Sequence, residues 1–264
     1  MPSTMTKNED RRHYISVRDE EGARWITLDR PDALNALTQE RVDALIEAIQ
    51  SAPQSIGVIV LQGRPEAFSS GDDLRATADQ DLEEFISFVE AIHDVARAIL
   101  DAPQVVIASV DGVVVGGGVE ISSACDIRIG TKAVRIGFPD ADAGMSVTGG
   151  TAVLVSRIIG EGWARHLVLD GGLISGDEAY RIGFLTVLCE DSVALEAETR
   201  QLVERLNARS RVALQRCKRT FVESVREPLA RALMVEKDFA VQCFRTGATK
   251  EFIAHWLQSR GRTS

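Results

Sequence analysis

At 264 residues with 45% hydrophobic side chains, the chain can bury one sizeable core with an appendage. Its net charge of -9 and pI near 5.1 argue against nucleic acid as the main partner, because phosphate binding calls for a basic face. Cys125, Cys189, Cys217 and Cys243 are scattered without a C-x-x-C pair, which suggests neither a zinc site nor a disulfide framework and fits a reducing cytoplasm. The first twelve residues are polar with no apolar leader core, and no apolar run reaches membrane-spanning length. The expectation is a soluble cytoplasmic protein with no membrane partner.

In chain order, residues 13–18 and 24–29 alternate as two paired strands around a turn at Glu21-Gly22. Residues 30–37 read as a loop. Thr38 then caps a helix with Val42, Leu45, Ile46 and Ile49 at 3/4 spacing, stopped by Pro53. Residues 57–63 form a buried strand, followed by the small-residue turn Ser69-Ser70-Gly71 and the acid pair Asp72-Asp73. Acids there serve either as helix caps or in catalysis. From Leu82 to Leu100 the apolar residues define one amphipathic helix, with His93 placed on it as a surface or half-buried residue.

The stretch 105–126 carries the strongest chemical signal. A β-branched strand, Val105 to Val110, ends at Asp111-Gly112, and the triple glycine Gly116-Gly117-Gly118 follows directly before a short helical run with Glu120. Such a run is either a tight turn or a place where backbone approaches a ligand closely. Glycine opening a helix presents unpaired N–H groups with the helix dipole behind them, and Glu120 sets a carboxylate beside them. Backbone donors plus an acid can stabilise an oxyanion while moving a proton. The third glycine of G-x-G-x-x-G and the G-K-[ST] of a P-loop are both missing. No G-x-S-x-G or H-E-x-x-H occurs, so neither a serine hydrolase nor a metal site is indicated.

Downstream, 127–129 and 134–136 read as short strands leading to a second glycine-rich loop, 137–151, in which Pro139 stiffens the approach to Asp140. A helix is expected over 152–159, and Ser175 with Glu178 makes a capping box. Residues 193–258 are helical, with breaks at Pro228 and Gly247.

Five stretches, in order, resemble the crotonase superfamily, the enoyl-CoA hydratase/isomerase family, over nearly the whole chain. They are 28–37 (LDRPDALNAL), 67–74 (AFSSGDDL), 112–128 with Gly116-Gly117-Gly118 and Glu120, 139–151 with Pro139-Asp140 and Gly149-Gly150-Thr151, and 169–179. The resemblance implies an α/β fold, a crotonase-like spiral of ββα repeats over 13–192. It further implies a C-terminal helical region, 193–264, for trimerisation and closure of the site, assembled as a homo-trimer or a dimer of trimers. It implies an acyl-CoA thioester substrate and no separate cofactor, coenzyme A being part of the substrate.

By the same resemblance, the backbone N–H groups of Ser70 and Gly117 form the oxyanion hole, and Glu120 and Asp140 are the catalytic acids. Substrate contacts fall on Arg30, Ala33, Leu34, Ala36, Phe68, Ser69, Gly71, Asp72, Asp73, Leu74 and Gly116, with Arg75 and Lys250 as further basic candidates. The expected reaction is addition of water across the C2–C3 double bond of a 2-enoyl-CoA. Two close carboxyls split their pKa values into an acid and a base. Asp140 departs from the family's glutamate and is one methylene shorter, and a misplacement of about 1 Å can cost on the order of 100-fold in rate. Asp142 is a possible substitute. Double-bond isomerisation, which needs one placed base, stands as the alternative, with thioester hydrolysis or decarboxylation behind it and an inactive acyl-CoA-binding subunit as the non-enzymatic reading.

Overall fold

The computed structural model describes residues 15–260. The expected strand residues His13 and Tyr14 lie outside this range. Strand β1 (Ile15–Glu20) pairs antiparallel with β2 (Ala23–Leu28). The turn between them has positive φ at both Glu21 and Gly22, the twist that two-residue hairpins favour.

After helix α1 (Gln39–Gln50), one motif is built three times from the same chemistry. An apolar strand enters a main sheet, a turn follows, a short strand enters a second sheet, and a helix closes the unit. The three are β3 (Val58–Gln62), β4 (Ala67–Ser69) and helices α2 (Leu74–Asp79) and α3 (Leu82–Asp101); β5 (Val105–Val110), β6 (Val113–Val115) and α4 (Gly117–Ala124); and β7 (Ile127–Thr131), β8 (Arg135–Gly137) and α5 (Thr151–Asp170). With β9 (Ile174–Ser175), helix α6 (Gly176–Arg181) and β10 (Val187–Cys189), the sheets order as β1-β2-β3-β5-β7-β10 and β4-β6-β8-β9. The main sheet is parallel beyond β2, and β3 and β5 are apolar but for Gln62 and Ser109 because both faces are covered. This is the crotonase-like spiral.

From Ser192 onward everything described is helical: α7 (Ser192–Asn207), α8 (Arg211–Thr246) and α9 (Ala248–Arg260). Lys218 pins α8 to the core, its buried Nζ donating to the carbonyls of Ile99 and Gln104 and lying 2.9 Å from Asp126. Helix α9 returns toward the spiral, where Thr249 donates to the Gly144 carbonyl and Lys250 to that of Gln80.

Four local expectations are corrected. Pro228 does not break α8, which runs straight through it; the carbonyl that its missing N–H would have bonded, Ser224 O, is met by Arg157 at 3.4 Å. Helix α5 extends past residue 159 to Asp170, turning at Gly160, whose φ of 80° lies outside the helical region. His93 is only 2% exposed, and burial pushes its pKa down to about 4, so it is a neutral core residue. At Ser175 half of the expected box is made: its hydroxyl accepts from Glu178 N, while the Glu178 carboxylate turns to Arg181.

Candidate active site

Strands β4 and β6 are neighbours in the second sheet, so the turns that follow them, residues 70–73 and 116–118, lie edge to edge. The approach leaves no room for side chains. A Cβ on Gly71 would sit 2.8 Å from Val115 O and 3.2 Å from Gly117 N, and both Gly71 (φ 79°) and Gly116 (φ 50°) hold conformations that favour glycine.

Which backbone donors remain open follows from the hydrogen bonds. Gly117 is the first residue of α4 and has no intrahelical acceptor; Val119 and Glu120 both donate to Gly116 O, and Gly117 N–H has no acceptor among the described residues. In the other turn, Ser70 N–H donates to Leu34 O at 2.9 Å, Gly71 N–H to Ser69 Oγ at 3.1 Å, and Asp73 N–H to Leu37 O at 2.8 Å. Of this turn's four N–H groups, that of Asp72 alone has no acceptor among the described residues. The open pair is Asp72 and Gly117. The expectation of a Ser70 donor is thus corrected by two residues, because the left-handed turn at Leu34 (φ 48°) and Asn35 (φ 57°) presents a carbonyl that takes Ser70 N–H.

Three carboxyl groups lie close enough to act on one another electrostatically, two of them beside the Gly116–Gly117 peptide. Glu120, 3% exposed in a helix whose every residue is buried, is clamped by Thr148: N–H to Oε1 at 2.6 Å and Oγ1 to Oε2 at 2.8 Å. Burial first, then the charges of Asp140 and Asp72, push its pKa well above the carboxylate range. Gly149 permits this clamp, since a Cβ there would lie 2.7 Å from Glu120 Cβ. Asp140 faces Gly116, its oxygens 3.6 and 3.8 Å from where a Cβ would stand, and its buried Oδ2 has no hydrogen-bond partner. Burial raises Asp140 to about 6. Asp72 faces Gly117, with Oδ1 3.1 Å from the position of a Cβ, and burial followed by Asp140 raises it to about 7. Such a set loses its protons in steps, so acid and base forms coexist near neutral pH.

The two adjacent acids have different tasks. Asp73 is the N-cap of α2, accepting from Arg75 and Ala76 N–H, and it pairs with Arg30 at 2.7 Å. Asp142 is exposed and lies against Gly171, away from the cluster. Ala33 O accepts from Ser70 Oγ and Ala36 O from Arg41, Leu34 is partly exposed on the same loop, and Leu74 opens α2. Phe68 and Ser69 have no exposed surface, and Ser69 Oγ donates to Asn35 O. They are core residues that align the turn, a correction to their expected substrate contact.

Sequence reasoning missed Thr148 and Glu236. Glu236, buried on α8, accepts from Gly150 N at 2.8 Å and Ala152 N at 3.0 Å, and so supplies the cap that α5 lacks with Gly150 at its N-cap position. The glycine cap was a visible signal that a carboxylate from elsewhere was needed, but nothing local named the residue. Among the described residues no group of three His, Cys, Asp or Glu side chains is placed to hold a metal ion, and no helix is long and apolar enough to cross a membrane.

An acid cluster beside two open N–H groups on a ββα spiral defines a class of proteins, and comparison of sequences supplies its name. The profile of the enoyl-CoA hydratase/isomerase family matches residues 18–261. The chain belongs to that family. It is 28% identical over 238 residues to the short-chain-enoyl-CoA hydratase of Clostridium acetobutylicum, covering 89% of this chain and 91% of that one. It is 26% identical over 249 residues to the crotonyl-CoA hydratase of Syntrophomonas wolfei, covering 93% and 95%. The crystal structure of an enoyl-CoA hydratase from Bacillus halodurans superposes with a TM-score of 0.85 at 27% identity, covering 92% of this chain and 99% of that one.

Proposed function

We propose that the protein is an enoyl-CoA hydratase, adding water across the C2–C3 double bond of a 2-enoyl-CoA. The observation that carries this reading is the open donor pair, Asp72 N–H and Gly117 N–H, together with the buried carboxyl of Glu120 and the half-buried Asp140, whose Oδ2 is buried. The thioester carbonyl oxygen sits between the two donors, which stabilise the enolate as charge moves onto it, each worth about 2.7–4 kcal/mol in comparable sites. The ionised carboxyl of the Glu120/Asp140 pair takes a proton from water as its oxygen bonds to C3. The protonated carboxyl delivers a proton to C2, so one water is consumed and the pair's single proton ends on the other carboxyl, from which a proton exchange restores the starting state.

Isomerisation of a 3-enoyl-CoA is the second reading, favoured by the shorter Asp140. It needs one carboxylate to remove a proton at C2 and return it at C4, and Thr148 holds Glu120 rigidly enough for that task. Coenzyme A is part of the substrate in both readings and no further cofactor is required. Exposed Leu169, Leu173, Phe221, Met234 and Phe239 support assembly with further copies of the chain, as a trimer or a dimer of trimers.

The test is the ultraviolet absorbance of crotonyl-CoA mixed with wild type and with Glu120→Gln. Loss of the conjugated thioester band in wild type, slowed by 100-fold or more in the variant, is the expected result. A persistent band, with a new band arising from a 3-enoyl-CoA, would replace hydratase by isomerase. Inertness toward both would sink the acyl-CoA reading.

A further inference from the structure

The carboxyl of Asp72 has no task in the account above, although its own backbone N–H is one of the two open donors. Its side chain is not the cap of α2, which is Asp73, and it makes no hydrogen bond among the described residues. Its Oδ1 instead faces Gly117, 3.1 Å from where a Cβ on that residue would stand. Any oxygen held between Asp72 N–H and Gly117 N–H therefore lies within a few ångströms of this carboxyl. Were Asp72 ionised, it would repel a developing oxyanion and compete for the same N–H groups. Two unit charges about 4 Å apart in a protein site of this kind oppose each other strongly enough to cancel a backbone donor. Neutral, the same group carries an O–H that can donate to a developing oxyanion instead of repelling it.

We propose that Asp72 acts as a neutral carboxylic acid, donating a side-chain hydrogen bond at the oxyanion site beside the Asp72 and Gly117 N–H groups. This inference rests on the acyl-CoA reading. The surroundings support it. The ionisable groups facing Asp72 are Asp140, from the loop after β8, and Glu120, from α4, and both oppose its ionisation. Two basic side chains of the surrounding elements are engaged with other groups, Arg30 with Asp73 and Lys250 of α9 with the Gln80 carbonyl. Burial and Asp140 together raise Asp72 to about 7, so the neutral form is populated below that pH and lost above it.

The experiment compares wild type, Asp72→Asn and Asp72→Ala in turnover across pH 5 to 9 and in infrared difference spectra of the free proteins. Asn keeps a donor but cannot ionise; Ala keeps neither property. Expected is a wild-type kcat that falls as pH rises through about 7. That fall should be absent in Asp72→Asn. The Ala variant should lose on the order of 100-fold in kcat, of which Asn recovers at least tenfold. The infrared spectrum should show a protonated carboxylic acid band at pH 6 that is missing in Asp72→Asn. An Ala variant as active as wild type with the same pH profile would overturn the proposal, as would an Asn variant no better than Ala. Absence of the acid band would overturn it whatever the turnover. A wild type inert toward both 2-enoyl- and 3-enoyl-CoA would instead sink the acyl-CoA reading, and the role of Asp72 toward an oxyanion with it.

Discussion

The two turns of the site solve the same problem by different means. Each must leave one N–H open, although unpaired buried donors are costly. The turn at 116–118 does so through helix geometry alone: Gly117 is the first residue of α4, and a first-turn N–H has no intrahelical acceptor. The turn at 70–73 precedes its helix and selects its donor by elimination. Carbonyls of Leu34 and Leu37, with the Ser69 hydroxyl, satisfy Ser70, Asp73 and Gly71 and leave Asp72 open. One donor is fixed by its own sequence and the other by a loop more than thirty residues upstream. The first should tolerate little at the glycines themselves, and the second should be sensitive to the loop.

The largest expected effect tests the first half of that contrast. A Cβ on Gly117 would meet Leu37 Cδ1 at 2.8 Å and Asp72 Oδ1 at 3.1 Å, both ends of side chains that can shift. Gly117→Ala is therefore expected to fold, with its stability near wild type, while a methyl group crowds the donor and kcat falls by roughly 100- to 1,000-fold. On the next residue a Cβ would lie 2.7 Å from the Ser69 carbonyl oxygen, which is backbone and cannot step aside. Gly118→Ala should accordingly show its damage in a urea unfolding curve. Equal stability loss in the two variants would break the distinction between an open glycine and a packed one.

The next effect sharpens the second half. Asn35 sits in the left-handed region at 1% exposure, its side chain accepting from Arg30 N at 2.7 Å and donating to Ala67 O at 2.8 Å. Asparagine tolerates that conformation better than most residues, and both buried bonds depend on its amide. Asn35→Ala should cost about 2–3 kcal/mol of stability, measured in urea. It should also lower kcat, because the loop that occupies the Ser70 donor no longer holds its shape. Full activity in a destabilised Asn35→Ala would mean that the turn at 70–73 keeps Asp72 open without the loop.

The sequence made the fold legible where chemistry was local. Val58–Gln62 and Val105–Val110 are apolar but for Gln62 and Ser109 because parallel strands are covered on both faces, and Gly116 to Glu120 announced a helix start with an acid in its first turn. The short strands of the second sheet were harder to see, since β4 and β6 span three residues each and carry no period of their own. The donor of the 70–73 turn could not be read locally, because openness there is a property of distant carbonyls. The division of labour between Asp72 and Asp73 was nearer to hand. A helix beginning at Leu74 takes its cap from Asp73, which leaves Asp72 free for another use.

Support for Glu120 is the most remote element and gives the smallest expected effect. Glu120 is held by Thr148, twenty-eight residues on, and the loop bearing Thr148 is anchored at Gly150 by Glu236 of α8. Thr148 donates twice, through N–H and through Oγ1, and both bonds favour the ionised carboxylate against the burial that raises its pKa. Thr148→Val keeps the N–H bond and the shape of the side chain but removes the hydroxyl. The ionised form of Glu120 is then less stabilised, so the limb of the pH–rate profile that reports its ionisation should move to higher pH. At fixed neutral pH kcat should fall by about tenfold, since one hydrogen bond to a charged group contributes about 1.5–3 kcal/mol and is partly replaced by water. KM should hold, because Thr148 touches the acid and not the thioester donors. A movement of that limb to lower pH would mean that the hydroxyl serves the protonated form of Glu120, which would make Glu120 the proton donor and assign the base to Asp140.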